Sequence, residues 1–271
     1  KIGYDKFISK FKKYIYFPKE NYYCIHKNSK IDFETYLKII KRNKLSYKIT
    51  DINQIPFLKK ENFLGSVNTN EGVILVKKIN NKLISEVKKN CRVYNNTEVF
   101  NIDSTVGNIE TKNCKYKFDK IINTTYVNPN LGLKKKYIDT KYELASILIP
   151  NNKINNVPGI TIMDGNFISV YPRSKNTFSL TSVKFTPVVK FNNINKKDYF
   201  LKKFCNKKEI KKIKNSIFDH VKEFVDFPVI IDSNKSKIEF AIKTKIKKDI
   251  NDIRTAKLIT ENKIISVLCG K

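Results

Sequence analysis

Two kinds of apolar stretch alternate along this chain, and they cannot belong to the same kind of sheet. One kind is continuous: DKIINTTY, residues 119–126, and IISVL, residues 264–268, read as strands buried on both faces. The other kind switches side every residue. It covers strand patterns between 142 and 184 and again between 236 and 247, where Ile238, Phe240, Ile242 and Ile246 share one face. The two kinds interleave, so the chain predicts a mixed α/β fold in which one sheet unit is assembled from distant segments and a second, antiparallel or mixed unit lies between them.

Helix signals fit the same plan. Asp32 stands before FETYLKIIKRN, whose Phe33, Tyr36, Leu37 and Ile40 recur at helical spacing, with Asp32 as N-cap. After the acidic turn NEG (Asn70 to Gly72), Val76, Ile79, Leu83 and Val87 form an apolar helical stripe. Asn206 with Glu209 three residues on resembles a capping box, and Ile210, Ile213, Ile217, Val221, Phe224 and Val225 follow it. Short strands are predicted at 14–17 and 22–25, and a hairpin at 166–184 turns at PRSKN.

The formal charge of +29 raises nucleic acid as a partner. The excess is nearly all lysine, spread along the whole chain. Only Arg42, Arg92, Arg173 and Arg254 carry the guanidinium suited to bidentate phosphate and base recognition. A solvated basic surface is the expectation, and nucleic-acid binding is ranked last. Five dispersed cysteines and two histidines form no metal-ligand spacing, so free thiols and no metal are expected. No apolar run approaches the roughly 20 residues that cross a bilayer. A soluble, cytoplasmic protein without a membrane partner is therefore expected.

Four stretches, in order, resemble the D-amino-acid-oxidase-like family of FAD enzymes. They are the helix after NEG with CRVYNNTEVFNI, then DKIINTTYVNPN, then ITIMDGNFISVYP with FSLTSVKFTP, and last DIRTAKLITENKIISVLCGK. The resemblance implies a discontinuous, glutathione-reductase-like FAD/NAD(P)-binding unit plus an antiparallel or mixed-sheet substrate unit. The implied boundaries are 1–65 and 128–253 for the substrate unit, and 66–127 with the return strand 254–271 for the FAD unit. It also implies FAD as cofactor and hydride transfer to it from a small carboxylate-bearing substrate. The sequence departs from the family in one respect: no GxGxxG occurs in it, so the loop that brings backbone amides to the pyrophosphate is missing. The expectation is that the chain starts inside a larger protein and alone binds FAD weakly or not at all. The alternative is a degenerate, non-catalytic homologue serving as a binding or assembly module.

Arg254 stands at a charged turn in a chain that otherwise relies on lysine, which suits a planar carboxylate partner. An exposed arginine paired with Asp249 or Asp252 is the competing reading. The resemblance places Arg254, Tyr171 and Tyr142 at the substrate. It places Val99 at the adenine edge, Thr125 and Tyr126 near the nucleotide, and Gly270 with Lys271 at the flavin. Arg173, in the PRSKN turn, is expected to face solvent. No catalytic acid or base is expected, because the flavin performs the chemistry.

Overall fold

In a computed structural model, which describes residues 2–247 and 256–268, the chain is mixed α/β with several sheets. Along the chain come α1 (Ile2–Phe11), β1 (Ile15–Tyr16), β2 (Asn21–His26), α2 (Phe33–Arg42), β3 (Tyr47–Thr50), β4 (Phe63–Thr69), β5 (Val73–Ile74) and α3 (Val76–Asn90). Next are β6 (Val99–Asp103), β7 (Asn108–Thr111), β8 (Lys115–Lys117), β9 (Ile121–Asn123) and β10 (Thr140–Ile149). The remainder comprises β11 (Gly159–Met163), β12 (Ile168–Pro172), β13 (Phe178–Ser182), β14 (Pro187–Phe191), α4 (Lys197–Phe204), α5 (Lys207–Lys222), β15 (Lys237–Ile246), β16 (Lys257–Glu261) and β17 (Ile264–Leu268).

The chain divides into two compact units. Unit 1 holds residues 1–89, 146–188 and 203–240; unit 2 holds 90–145, 189–202 and 241–271. Strands β10, β14 and β15 each run through both. The segment 66–127 expected in the FAD unit is divided between them: 66–89, with α3, lies in unit 1, and 90–127 lies with β17 in unit 2.

The main sheet has the order β14-β10-β13-β12-β11-β2-β4-β3, with β15 also on β10. Its β2–β11 pair is parallel, while β11–β12, β12–β13 and β2–β4 are antiparallel. Alternate residues of these strands point to opposite faces. On one face Tyr22, Cys24, Ile160, Ile162, Ile168, Val170, Phe178 and Leu180 form a core with Ile213, Ile217 and Val221 of α5. α5 begins where the sequence predicts, since the Asn206 side chain accepts from Glu209 N at 3.0 Å. α2 is likewise capped by Asp32, which accepts from Thr35 N at 2.7 Å. Its Tyr36 and Ile40 cover one end of the opposite sheet face, against Ile25 and Val67.

Unit 2 carries two three-stranded sheets. β6-β7-β8 is an antiparallel meander, and β9 and β17 pair in parallel with β16 antiparallel on the outside. The two continuous apolar stretches thus share one sheet. They are not, however, buried on both faces: in β9 Ile122 is 65% exposed, and in β17 Ile264, Ser266 and Leu268 alternate with half-buried residues. Continuous apolarity gives burial on both faces only where a layer packs on each, and the side of β9 that carries Ile122 is left open. The stripe of α3 also departs from expectation, because Ile79 is buried whereas Val76, Leu83 and Val87 are exposed.

Candidate functional site

The second face of the main sheet, beyond the end covered by α2, is polar and aromatic. Register places Tyr23 of β2 opposite Thr161 of β11, Thr161 opposite Ser169 of β12, and Ser169 opposite Thr181 of β13. One step along, Asn21 lies opposite Gly159, and Tyr171 opposite Ser179. Because Tyr22, Cys24, Val170 and Leu180 point into the core, Tyr23, Ser169, Tyr171 and Thr181 necessarily point the other way. A hydroxyl-lined, half-buried surface results.

At its edge sits Glu71, carried just past the end of β4. Its Oε2 accepts from the Tyr23 hydroxyl at 2.5 Å and from Asn21 Nδ2 at 3.1 Å. The Asn21 amide also donates to Thr69 Oγ1 at 3.1 Å, and Asn21 N donates to Asn68 Oδ1 at 3.0 Å. Gly159 makes room for this arrangement, since a Cβ there would lie 1.9 Å from Asn21 Oδ1. Burial, and then the hydrogen bond to Glu71, pushes the Tyr23 phenol well above the ordinary tyrosine range. Burial and then the Glu71 charge raise Tyr171 as well, and bring Tyr36 to about 12. All three phenols therefore stay neutral donors at physiological pH.

Of the substrate candidates, Tyr171 lies on this surface in unit 1. Tyr142 lies in unit 2 and is buried, with its ring stacked on Phe191 at 5.4 Å and its hydroxyl donating to Val127 O at 3.0 Å. Arg254, Gly270 and Lys271 lie outside the described residues. Arg173 pairs with Glu239 at 3.1 Å, with about a third of its side chain exposed.

The remaining cofactor candidates are in unit 2 but in two places. Thr125 and Tyr126 follow the end of β9. Thr125 Oγ1 donates to Asn128 O at 3.0 Å, and Tyr126, at φ 62°, accepts from Thr244 N at 3.2 Å on its hydroxyl. The buried Thr244 hydroxyl beside it has no hydrogen-bond partner among the described residues. Val99 begins β6, the edge strand of the meander, so the backbone groups on its outer side are not used by the sheet. Its side chain lines a groove of about 230 Å³ with Tyr94, Tyr116 and Phe118. Among the described residues no group of three or more His, Cys, Asp or Glu could hold a metal, and no helix is long and apolar enough to cross a membrane.

Sequence reading missed Glu71, Asn21 and Tyr23. The NEG turn was the one available signal, since it puts a carboxylate beside a glycine in a lysine-rich chain.

No protein-family model matches the sequence, and no curated protein matches it. Solved structures do match the fold over nearly the whole chain. The fold is shared with amino acid oxidases. NikD, an unusual amino acid oxidase essential for nikkomycin biosynthesis, aligns at a TM-score of 0.68 and 10% identity, covering 98% of this chain and 72% of that one. Glycine oxidase from Geobacillus kaustophilus aligns at 0.64 and 9% identity, covering 97% and 70%. L-proline dehydrogenase from P. horikoshii aligns at 0.62 and 12% identity, covering 98% and 72%. Side chains at a site are not transferable at such identities, so the likeness establishes the fold.

Proposed function

We propose that this chain works as an FAD-dependent oxidoreductase that oxidises a small carboxylate-bearing substrate at the carbon next to an amine. The observation that carries this reading is the fold, shared over 97–98% of the chain with two amino acid oxidases and an amino acid dehydrogenase. When bound, FAD supplies the hydride acceptor. The protein's share is to orient the substrate and hold the cofactor. The outward backbone of Val99 suits an adenine edge, and Thr125 and Tyr126 at the end of β9 stand where a parallel pair in such folds meets a nucleotide. Gly270 and Lys271 complete the cofactor set, and Arg254 and Tyr171 the substrate set. Tyr142 has its hydroxyl engaged with Val127 O and its ring on Phe191, and is kept as a packing residue of unit 2.

Full chain with excess FAD, mixed anaerobically with small amino acids and with the same acids lacking the amine, tests the reading. Bleaching of the oxidised flavin band by the amines alone is the expected result. Arg254→Lys keeps the charge but loses the two parallel donors that fix a carboxylate plane. It is expected to leave bound flavin unchanged and to lower kcat/KM by roughly tenfold to a hundredfold. Full activity in that variant removes Arg254 from the substrate set.

A second reading rests on the absence of GxGxxG from these 271 residues. A degenerate homologue that keeps the fold as a binding or assembly module would show no saturable FAD binding, which equilibrium titration of flavin fluorescence decides.

A further inference from the structure

We propose that Glu71, framed by Tyr23, Asn21 and Tyr171 on the polar sheet face of unit 1, is a binding site for an organic ammonium group. Calling that group the substrate's amine rests on the oxidoreductase reading; the site itself rests on the geometry. Both hydrogen bonds that Glu71 accepts fall on Oε2. No partner of Oε1, and no cation paired with this carboxylate, is found among the described residues. Carboxylates such as Glu86, Glu110, Asp139 and Glu239 do meet cations in this chain, where 54 lysines and arginines face 25 acidic residues. A half-buried carboxylate is costly without a countercharge.

The neighbours select the kind of cation. Tyr23 and Asn21 hold Oε2 in place as donors, which leaves the acceptor lone pairs of Oε1 as the available recognition element. Tyrosine rings attract a cation over their faces, and an ammonium on a short alkyl stem combines charge for the carboxylate with apolar area for the rings. Thr161, in register beside Tyr23, offers a further hydroxyl oxygen to ammonium protons. A carboxylate or phosphate ligand would meet repulsion from Glu71.

Tyrosine-labelled full chain, titrated with n-butylammonium chloride and separately with sodium butyrate, provides the test by NMR. Saturable shifts of the Tyr23 and Tyr171 ring signals with the amine, and none with butyrate, are expected. Glu71→Gln keeps the hydrogen-bond acceptor and removes the charge, and should weaken amine binding by roughly tenfold or more. Should Glu71→Gln fail to fold, Tyr171→Leu, which removes a ring from the half-buried surface, should weaken it several-fold. No saturable shift in the wild type, equal response to butyrate, or undiminished binding in the folded variants overturns the proposal. The assay needs neither flavin nor turnover. Amine binding without flavin reduction would therefore sink the oxidoreductase reading alone, and flavin reduction indifferent to Glu71→Gln would leave the ammonium site standing and overturn only its assignment to the substrate's amine.

Discussion

Unit 1 and unit 2 use similar residues and reach order by different means. In unit 1 a wide sheet packs one face against α5, and Phe178, Leu180, Ile217 and Val221 are wholly excluded from water. In unit 2 the sheets have three strands each, and position depends on hydrogen bonds from turns. Ser104 O accepts from Lys263 N at 3.0 Å, Asn123 Nδ2 donates to Asn128 O at 3.0 Å, and Ser266 Oγ donates to Pro129 O. An apolar residue in unit 1 is thus held by neighbours on a broad surface, whereas one in unit 2 depends on whether its narrow sheet happens to face something. The contrast teaches that burial belongs to the partner as much as to the strand.

The sharpest way to break this contrast is to truncate one isoleucine in each unit. Ile217 has no exposure, and Ile217→Ala removes buried methylenes from a packed core, which costs about 2–5 kcal/mol. Ile122 lies in a strand of the same apolar character but is 65% exposed, so Ile122→Ala should cost no more than about 1 kcal/mol. Urea unfolding followed by circular dichroism measures both. Similar losses would mean that β9 is covered after all.

A smaller effect sharpens the claim that unit 2 leans on its turns. Gly107 has φ 85°, and a Cβ on it would lie 2.0 Å from Phe118 O, the carbonyl end of a residue whose N–H donates back to Gly107 O at 2.9 Å. Gly107→Ala should therefore cost about 1–3 kcal/mol, from the left-handed backbone and the displaced strand end. Gly3 in α1 of unit 1 has nothing within 4 Å of such a Cβ. Gly3→Ala should stabilise by up to about 1 kcal/mol, through helix propensity and a less flexible unfolded chain. Thermal melts of the two variants must move in opposite directions.

What the sequence could reveal follows the same line. Asp32 and Asn206 were legible as caps because their partners stand three residues away. The hairpin β12–β13 was legible because its turn is local, closed by Arg173 N donating to Thr177 O at 2.8 Å. The parallel pairing of β9 with β17 was suggested by shared apolar character, but the exposure of Ile122 was not, since no residue near it states which neighbour is present. Tyr171 could be placed on the sheet's polar face by alternation alone. Glu71 could be read as no more than an acidic turn, because Tyr23 and Asn21, which define it as a site, lie 48 and 50 residues earlier.

The smallest expected effect concerns two histidines that unit 1 buries side by side around Phe224. Ring centroids stand 5.8 Å from Phe224 for His26 and 5.5 Å for His220. His26 Nδ1 accepts from Asn28 N at 3.1 Å, which requires that nitrogen to be unprotonated, and Phe63 and Phe167 flank the ring. His220 Nδ1 meets Ser182 Oγ at 2.9 Å with Phe185 beside it. Burial lowers the pKa of both, with Lys27 adding to the effect on His26; at His220 Glu223 opposes it and Lys184 reinforces it. The unfolded chain therefore binds more protons than the folded one once pH falls below the ordinary histidine range near 6.5. Stability must drop as pH falls from that range toward the lowered folded values, and it is fully present above it. Carboxylates with lowered pKa, such as Glu239 beside Lys237 and Arg173, lose their contribution only in the separate, more acidic carboxylate range. Unfolding midpoints in urea across the histidine range should fall in the wild type. The fall should flatten when His26→Gln and His220→Asn are combined. A slope that persists unchanged in that double variant would place the titrating groups outside this aromatic cluster and leave the unit 1 core without its proposed acid sensitivity.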